Sequence, residues 1–170
     1  PSAERHRDSK KLNRLADGFW GNPVNQSVEY AGDVNVLLDL AQPKDVAKIN
    51  VWTYYRSGSG GYAVESVTVF TSDDKKTWRQ AAVIPSDKSP TEMSFALSAD
   101  LGVKARYLKL AVKKTRSASR ILLGEIEVLA PSTAATKEVA ARAPWPRPMH
   151  VKHTLDRALL DAHVDFLYNC

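Results

Sequence analysis

One cysteine, Cys170, occurs in 170 residues. A lone thiol excludes an internal disulfide framework and any metal site built from several cysteines. Long apolar runs are missing, so no segment is suited to cross a bilayer as a helix. Residues 1–11 are polar and charged, unlike a secretory signal. Residue 1 is not Met, and the expectation is a piece of a longer polypeptide, which leaves the parent's location open. Catalytic signatures are also missing. There is no GxSxG elbow, no HExxH helix, no phosphate loop and no GxGxxG fingerprint. Gly58-Ser59-Gly60-Gly61 is rich in glycine, but a strand pattern follows it where a phosphate cradle needs a helix. Neither sign of charge dominates: 24 Lys and Arg face 19 Asp and Glu, for a net +5. The densest basic group, residues 104–120, mostly alternates along a strand pattern. Such a face is solvated, which argues against nucleic acid as a partner.

What is present is alternation. With 44% hydrophobic and 25% charged residues, the composition is that of an ordinary globular protein, and the length suits one domain plus an appendage. Residues 62–78 organise the rest. Val67 and Val69 fall on one face of a strand, with Val64, Ser66 and Thr68 on the other. Ser72-Asp73-Asp74-Lys75 has turn composition, and Trp78 returns the chain to an apolar core. Strands are also expected at 34–40, with Val36, Leu38 and Leu40 together, and at 46–52, offering Ile49 and Val51. Residues 54–61 break the pattern as a flexible loop with two aromatics and an arginine. Phe95 and Leu97 mark a short strand, and 106–112 turns Leu108, Leu110 and Val112 inward. A basic loop at 113–120 precedes a last strand at 121–129, with Ile126 and Val128 inward.

Short strands separated by turns, with no helical pattern between them, predict an all-β sandwich. Its expected core is Val36, Leu38, Val67, Val69, Leu108, Leu110, Ile126 and Val128. Residues 131–148 are rich in Ala and Pro and read as a linker or strap. After them Val151, Leu155, Leu159, Ala162 and Phe166 recur at helical spacing, although residues 164–168 equally suit the start of a strand. The spacing predicts a short C-terminal helical tail within 149–170, with a helix over 150–162 and then an extended piece.

Five pieces in order resemble the discoidin family, also called coagulation factor V/VIII type C domains. Leu15-Ala16-Asp17-Gly18 is similar to its "L-x-DG" opening, and residues 36–40 to its "V-x-L-DL" strand. Residues 62–78 resemble its central "Y-x-V-x-V-x-x-S-DG-x-x-W". Ala105-Arg106-Tyr107-Leu108-Lys109-Leu110 is similar to "A-R-Y-V-R-L", and Leu123-Gly124-Glu125-Ile126-Glu127-Val128 to the closing "L-x-EIEV". The resemblance covers about residues 12–130 and implies a galactose-binding-like jelly-roll β-sandwich. Bacterial members of the family are mostly carbohydrate-binding modules attached to larger enzymes. The family's turn Gly is replaced by Asp74-Lys75, and the terminal cysteine pair of animal members is absent. Residues 148–155 and 158–164 have a second, weaker resemblance, to a segment of bacterial FAD-dependent oxidoreductases.

Sugar binding needs a ring face and groups that pair with hydroxyls. Trp20, Tyr54 and Tyr55 supply rings on loops; Arg56, Arg116, Arg120, Asn22 and Asn25 supply polar groups. Trp52 and Trp78 are assigned to the core. The loops carrying Trp20, residues 54–56 and residues 116–120 are expected at one end of the sandwich. The family resemblance further implies a structural Ca2+ site at Asp17 and Glu125, with oxygens from Gly18, Asn22 and Asn25. The alternative is that Asp17 caps its turn and Glu125 faces solvent. His150 and His153, three apart on the expected helix, form a metal pair with no obvious third ligand; the alternative is a solvated pair.

Two functions compete. One is a non-catalytic carbohydrate-binding module attached to the rest of a larger bacterial polypeptide that is secreted, periplasmic or at the cell surface. The other is a ligand-free accessory domain of an FAD-dependent oxidoreductase. Sandwiches of this kind serve many roles, so fold alone does not choose.

Overall fold

The computed structural model describes residues 14–20, 22–86 and 93–132, and the backbone of Asp165–Asn169. A single 3-10 turn, Arg14–Ala16, opens it. The strands are β1 (Val28–Tyr30), β2 (Val34–Tyr54), β3 (Val64–Ser72), β4 (Arg79–Pro85), β5 (Ser94–Lys114), β6 (Ile121–Leu129) and β7 (Asp165–Asn169). All pairings are antiparallel, in the order β1-β6-β2-β5-β3-β4, with β7 pairing β2.

Two strands of 21 residues, β2 and β5, belong to both layers of the sandwich. A long strand passes between layers where a bulge bends it. The register of β2 against β5 slips between Asp39 and Lys44 and again between Val46 and Lys48. Ala41 (φ 65°) stands at the first irregularity and Gly102 (φ 58°) at the second. The two strands expected at 34–40 and 46–52 are therefore one bent strand. Phe95, Leu97 and residues 106–112 likewise share β5.

The faces brought together by this folding make one core. Val36, Leu38, Val67, Val69, Leu108, Leu110 and Ile126 are buried in it, while Val128 only packs against its margin. Val64 is buried too, against the expected alternation. A register shift between Val64 and Ser66 changes the phase of β3, so Val64 and Val67 point the same way. Neither Trp52 nor Trp78 is core; both are half-buried. Trp78 lies under Lys109, whose Nζ is 4.6 Å from its ring, and its indole N–H donates to the carbonyl of Lys75 at 3.1 Å.

The turn after β3 is built on Asp74. Its Oδ1 accepts the backbone N–H groups of Lys76 and Thr77, both at 2.8 Å, and the Ser72 hydroxyl at 2.9 Å. These bonds hold the Asp74 carboxyl down at about 2. Lys75 occupies the family's glycine position with φ 62°. The linker at 131–148 and the helix expected over 150–162 lie outside the described residues, apart from the exposed Pro131 and Ser132. The extended piece expected after that helix is β7, with Leu167 opposite Leu37 in the register.

Candidate functional site

Two loops meet at the end of the sandwich reached by the C-terminus of β2. The first, after Tyr54, is a narrow hydrogen-bonded turn and not the flexible loop expected. Arg56 and Tyr62 exchange backbone bonds of 3.0 and 3.1 Å, and the Gly61 N–H donates to the Gly58 carbonyl at 3.0 Å. Glycine is required at Gly61, where a Cβ would sit 2.3 Å from the Arg56 carbonyl oxygen. The second loop, before β6, is tied to the first by three backbone bonds. Ser119 donates to Gly61 (2.9 Å), Ala63 to Arg120 (3.2 Å) and Thr115 to Ala63 (3.2 Å).

This lacing brings Tyr55, Arg56, Arg116 and Arg120 to one region. Their environments differ. Arg56 and Arg116 are exposed, and neither forms an ion pair among the described residues. Tyr55 is half-buried, and its N–H donates to the carbonyl of the exposed Met93 at 2.9 Å. Arg120 faces Glu29 of β1 at 3.7 Å and lies 5.9 Å from the Tyr62 ring centroid. Glu29 and Tyr62, which sequence reading passed over, thus position Arg120. Tyr54 is only 2% exposed and packs with Tyr62 and Leu122, so its ring offers no face to solvent. Trp20 packs against β2 two residues before Tyr54. It stacks on Trp52 with centroids 3.4 Å apart and planes at 13°.

A second arrangement surrounds Glu125 on β6. Its side chain is buried and accepts the backbone N–H groups of Gly18 and Asp17, while Oε2 has no hydrogen-bond partner. Burial first, and the nearby Asp17 charge second, push the Glu125 carboxyl up to about 9. The alternative of a solvent-facing Glu125 is therefore excluded. Asp17 is exposed and its Oδ1 accepts the Phe19 N–H at 3.0 Å. Asn22 and Asn25 lie in the adjoining turn, where the Asn22 side chain accepts the Val24 N–H at 2.9 Å. No group of three or more acidic, His or Cys side chains converges among the described residues. His150 and His153 lie outside the described residues.

The profile of the F5/8 type C domain matches residues 2–126. The chain belongs to the F5/8 type C domain family. Solved structures share the architecture at low identity. The C-terminal domain of a chitobiase from Bacteroides fragilis is 17% identical, over 71% of this chain and 80% of that one, with a TM-score of 0.52. The CBM32 of AlyQ, in complex with 4,5-unsaturated mannuronic acid, is 14% identical over 72% and 89%, with a TM-score of 0.51. The lectin domain of lectinolysin, complexed with Lewis B antigen, is 19% identical over 77% and 89%, with a TM-score of 0.50. A search of curated protein sequences finds no match. These likenesses show the galactose-binding-like sandwich.

Proposed function

We propose that this F5/8 type C domain is a non-catalytic carbohydrate-binding module of a larger, extracellular protein. The observation that carries the reading is the pair of laced loops presenting Tyr55, Arg56 and Arg116 at one end of the sandwich. A carbohydrate-binding module of the same fold in complex with 4,5-unsaturated mannuronic acid, and a lectin domain complexed with Lewis B antigen, support it. Tyr55 supplies the ring edge against a sugar, and the two arginines pair with hydroxyls or a carboxylate. Arg120 braces the loop from beneath through Glu29. An exposed site of this kind buries little surface, so affinity is about millimolar to micromolar. A glycan array followed by calorimetry with neutral and acidic sugars tests it. Tyr55→Ala, Arg56→Ala and Arg116→Ala each weaken binding several-fold on this reading. Binding indifferent to all three refutes these residues. No binding to any glycan favours a ligand-free accessory domain.

Ca2+ beside Asp17 and Glu125 is the second part of the proposal. A buried carboxylate oxygen without a hydrogen-bond partner, next to a second carboxylate, suits a hard cation. Backbone carbonyls of the 17–26 segment and water would complete the coordination. Bound ion stabilises the folded domain by mass action. A melting midpoint unchanged by chelation and by restored calcium removes the ion.

A further inference from the structure

At the far end of β3 from the arginine loops, a polar groove opens beside the Asp74 turn. Thr71, Ser72, Asp73, Thr77, Arg79 and Lys104 line most of it. β3 runs from Val64 to Ser72, so the groove lies about 26 Å from the laced loops, at roughly 3.3 Å per residue. The two ends therefore form separate surfaces.

Several of these lining groups are already committed. Ser72 Oγ accepts the Asp74 and Lys75 N–H groups, and Asp74 Oδ1 accepts three bonds within the turn. Arg79 and Lys104 are exposed and form no ion pair among the described residues, although Asp45 stands opposite Lys104 in the register. Lys75 and Lys76 add positive charge on the same turn, and Lys75 Nζ already lies 3.8 Å from Asp39. Within the groove Arg79 and Lys104 stand beside Asp73 and Asp74, and Asp74 is turned into its own loop. Arg79 and Lys104 frame a place for an anionic group, and Thr71 and Asp73 stand ready for hydroxyls, while Thr77 Oγ1 donates to Asp74 Oδ2 at 3.4 Å. A guanidinium donates two parallel N–H bonds to a carboxylate or sulfate, with an ammonium adding a second charge.

We propose that this groove is a second binding site, for the anionic group of an acidic saccharide. It goes beyond the glycan reading of the loop end, because it uses other residues, at the other end of the strand. The test is an amide-shift titration of the full chain with three probes: an oligogalacturonate, a sulfated oligosaccharide of equal length, and a neutral one. The expected result is shifts centred on residues 71–79 and 104–105 with one or both acidic probes and none there with the neutral probe. The two acidic arms show whether carboxylate or sulfate is preferred. The double variant Arg79→Gln, Lys104→Gln should weaken that binding at least tenfold. The charge-matched variant Arg56→Gln, Arg116→Gln should leave it within twofold. Absence of shifts at the groove, or equal weakening by both double variants, overturns the proposal. Loss of binding at the arginine loops alone would refute the glycan reading there and leave the groove standing.

Discussion

Glu125 occupies a position where water cannot solvate its charge and only part of its hydrogen-bonding capacity is met. Burying an ionised carboxylate without a partner is costly, so the site favours a proton or a cation. Glu125→Gln keeps the shape and removes the charge. The expected outcome is a crossed pattern. In chelator the variant melts at or above the parent domain; in calcium the parent gains stability and the variant does not. At a calcium level a hundred times Kd, the parent's gain is about 2.7 kcal/mol. Differential scanning calorimetry in the two buffers checks it, and equal calcium responses would end the ion's role. Asp74 behaves in the opposite sense. Its folded value of about 2 lies below its ordinary 3.8, so the ionised form favours the native turn. That contribution is complete above pH 3.8 and is lost as pH falls through 2. Asp74→Ala should melt lower at neutral pH, with the gap closing across that acid window. A gap independent of pH would show that the carboxylate's charge does not hold the turn.

At the scale of elements, the bends in β2 and β5 decide what sequence reading sees. A strand with one face buried reads as strict alternation, and an extra residue inverts its phase. The slip beside Val46 makes Val46 and Ile49 both buried, and the slip beside Val64 does the same for Val64 and Val67. Alternation thus located Val36, Leu38, Val67, Val69, Leu108 and Leu110 correctly and broke each long strand in two. β1 was illegible, because three residues containing a buried Glu29 carry no period. The candidate site was legible to a similar degree. The motif spacing pointed at the loops carrying Arg56 and Arg116, but nothing in adjacent tyrosines tells which one turns inward. Tyr54 does, against Tyr62 and Leu122. The bends also yield a stability prediction. Ala41 is exposed and carries a left-handed φ of 65°. L-residues are strained there, so Ala41→Gly should stabilise by roughly 0.5–1 kcal/mol. Gly102 has φ 58° and open space where a Cβ would be added, so Gly102→Ala should cost about 1 kcal/mol through backbone strain alone. Urea midpoints read both signs, and reversed signs would refute the strain account.

Across the whole molecule, one contact joins the core to the candidate binding end. Gly124 is buried on β6, directly beneath the Tyr54 ring. A Cβ there would stand 2.8 Å from the Tyr54 hydroxyl oxygen and 3.1 Å from the nearest ring carbon. The ring cannot swing freely, because Tyr62 and Leu122 pack against it in the same buried cluster. Tyr62 in turn carries the paired backbone of Arg56 and lies beneath the Arg120 guanidinium. A methyl group added at Gly124 would therefore be felt twice, as overpacking and as a displaced loop. Gly124→Ala should destabilise by about 1–3 kcal/mol, the usual cost of forcing a methylene into a packed interior. It should also shift the amide resonances of Arg56, Tyr62 and Arg120 and weaken any glycan bound at the loops. Leu110→Ala provides the comparison. Leu110 is fully buried among Val36 and Val69, away from that contact, and its truncation should cost about 2–5 kcal/mol. Its variant should lose stability while keeping the loop resonances and glycan affinity under conditions where it remains folded. If Gly124→Ala lowers stability and leaves the loops unmoved, Tyr54 does not couple the core to the binding end. If Leu110→Ala moves the loops equally, the coupling is general and Tyr54 has no special part in it.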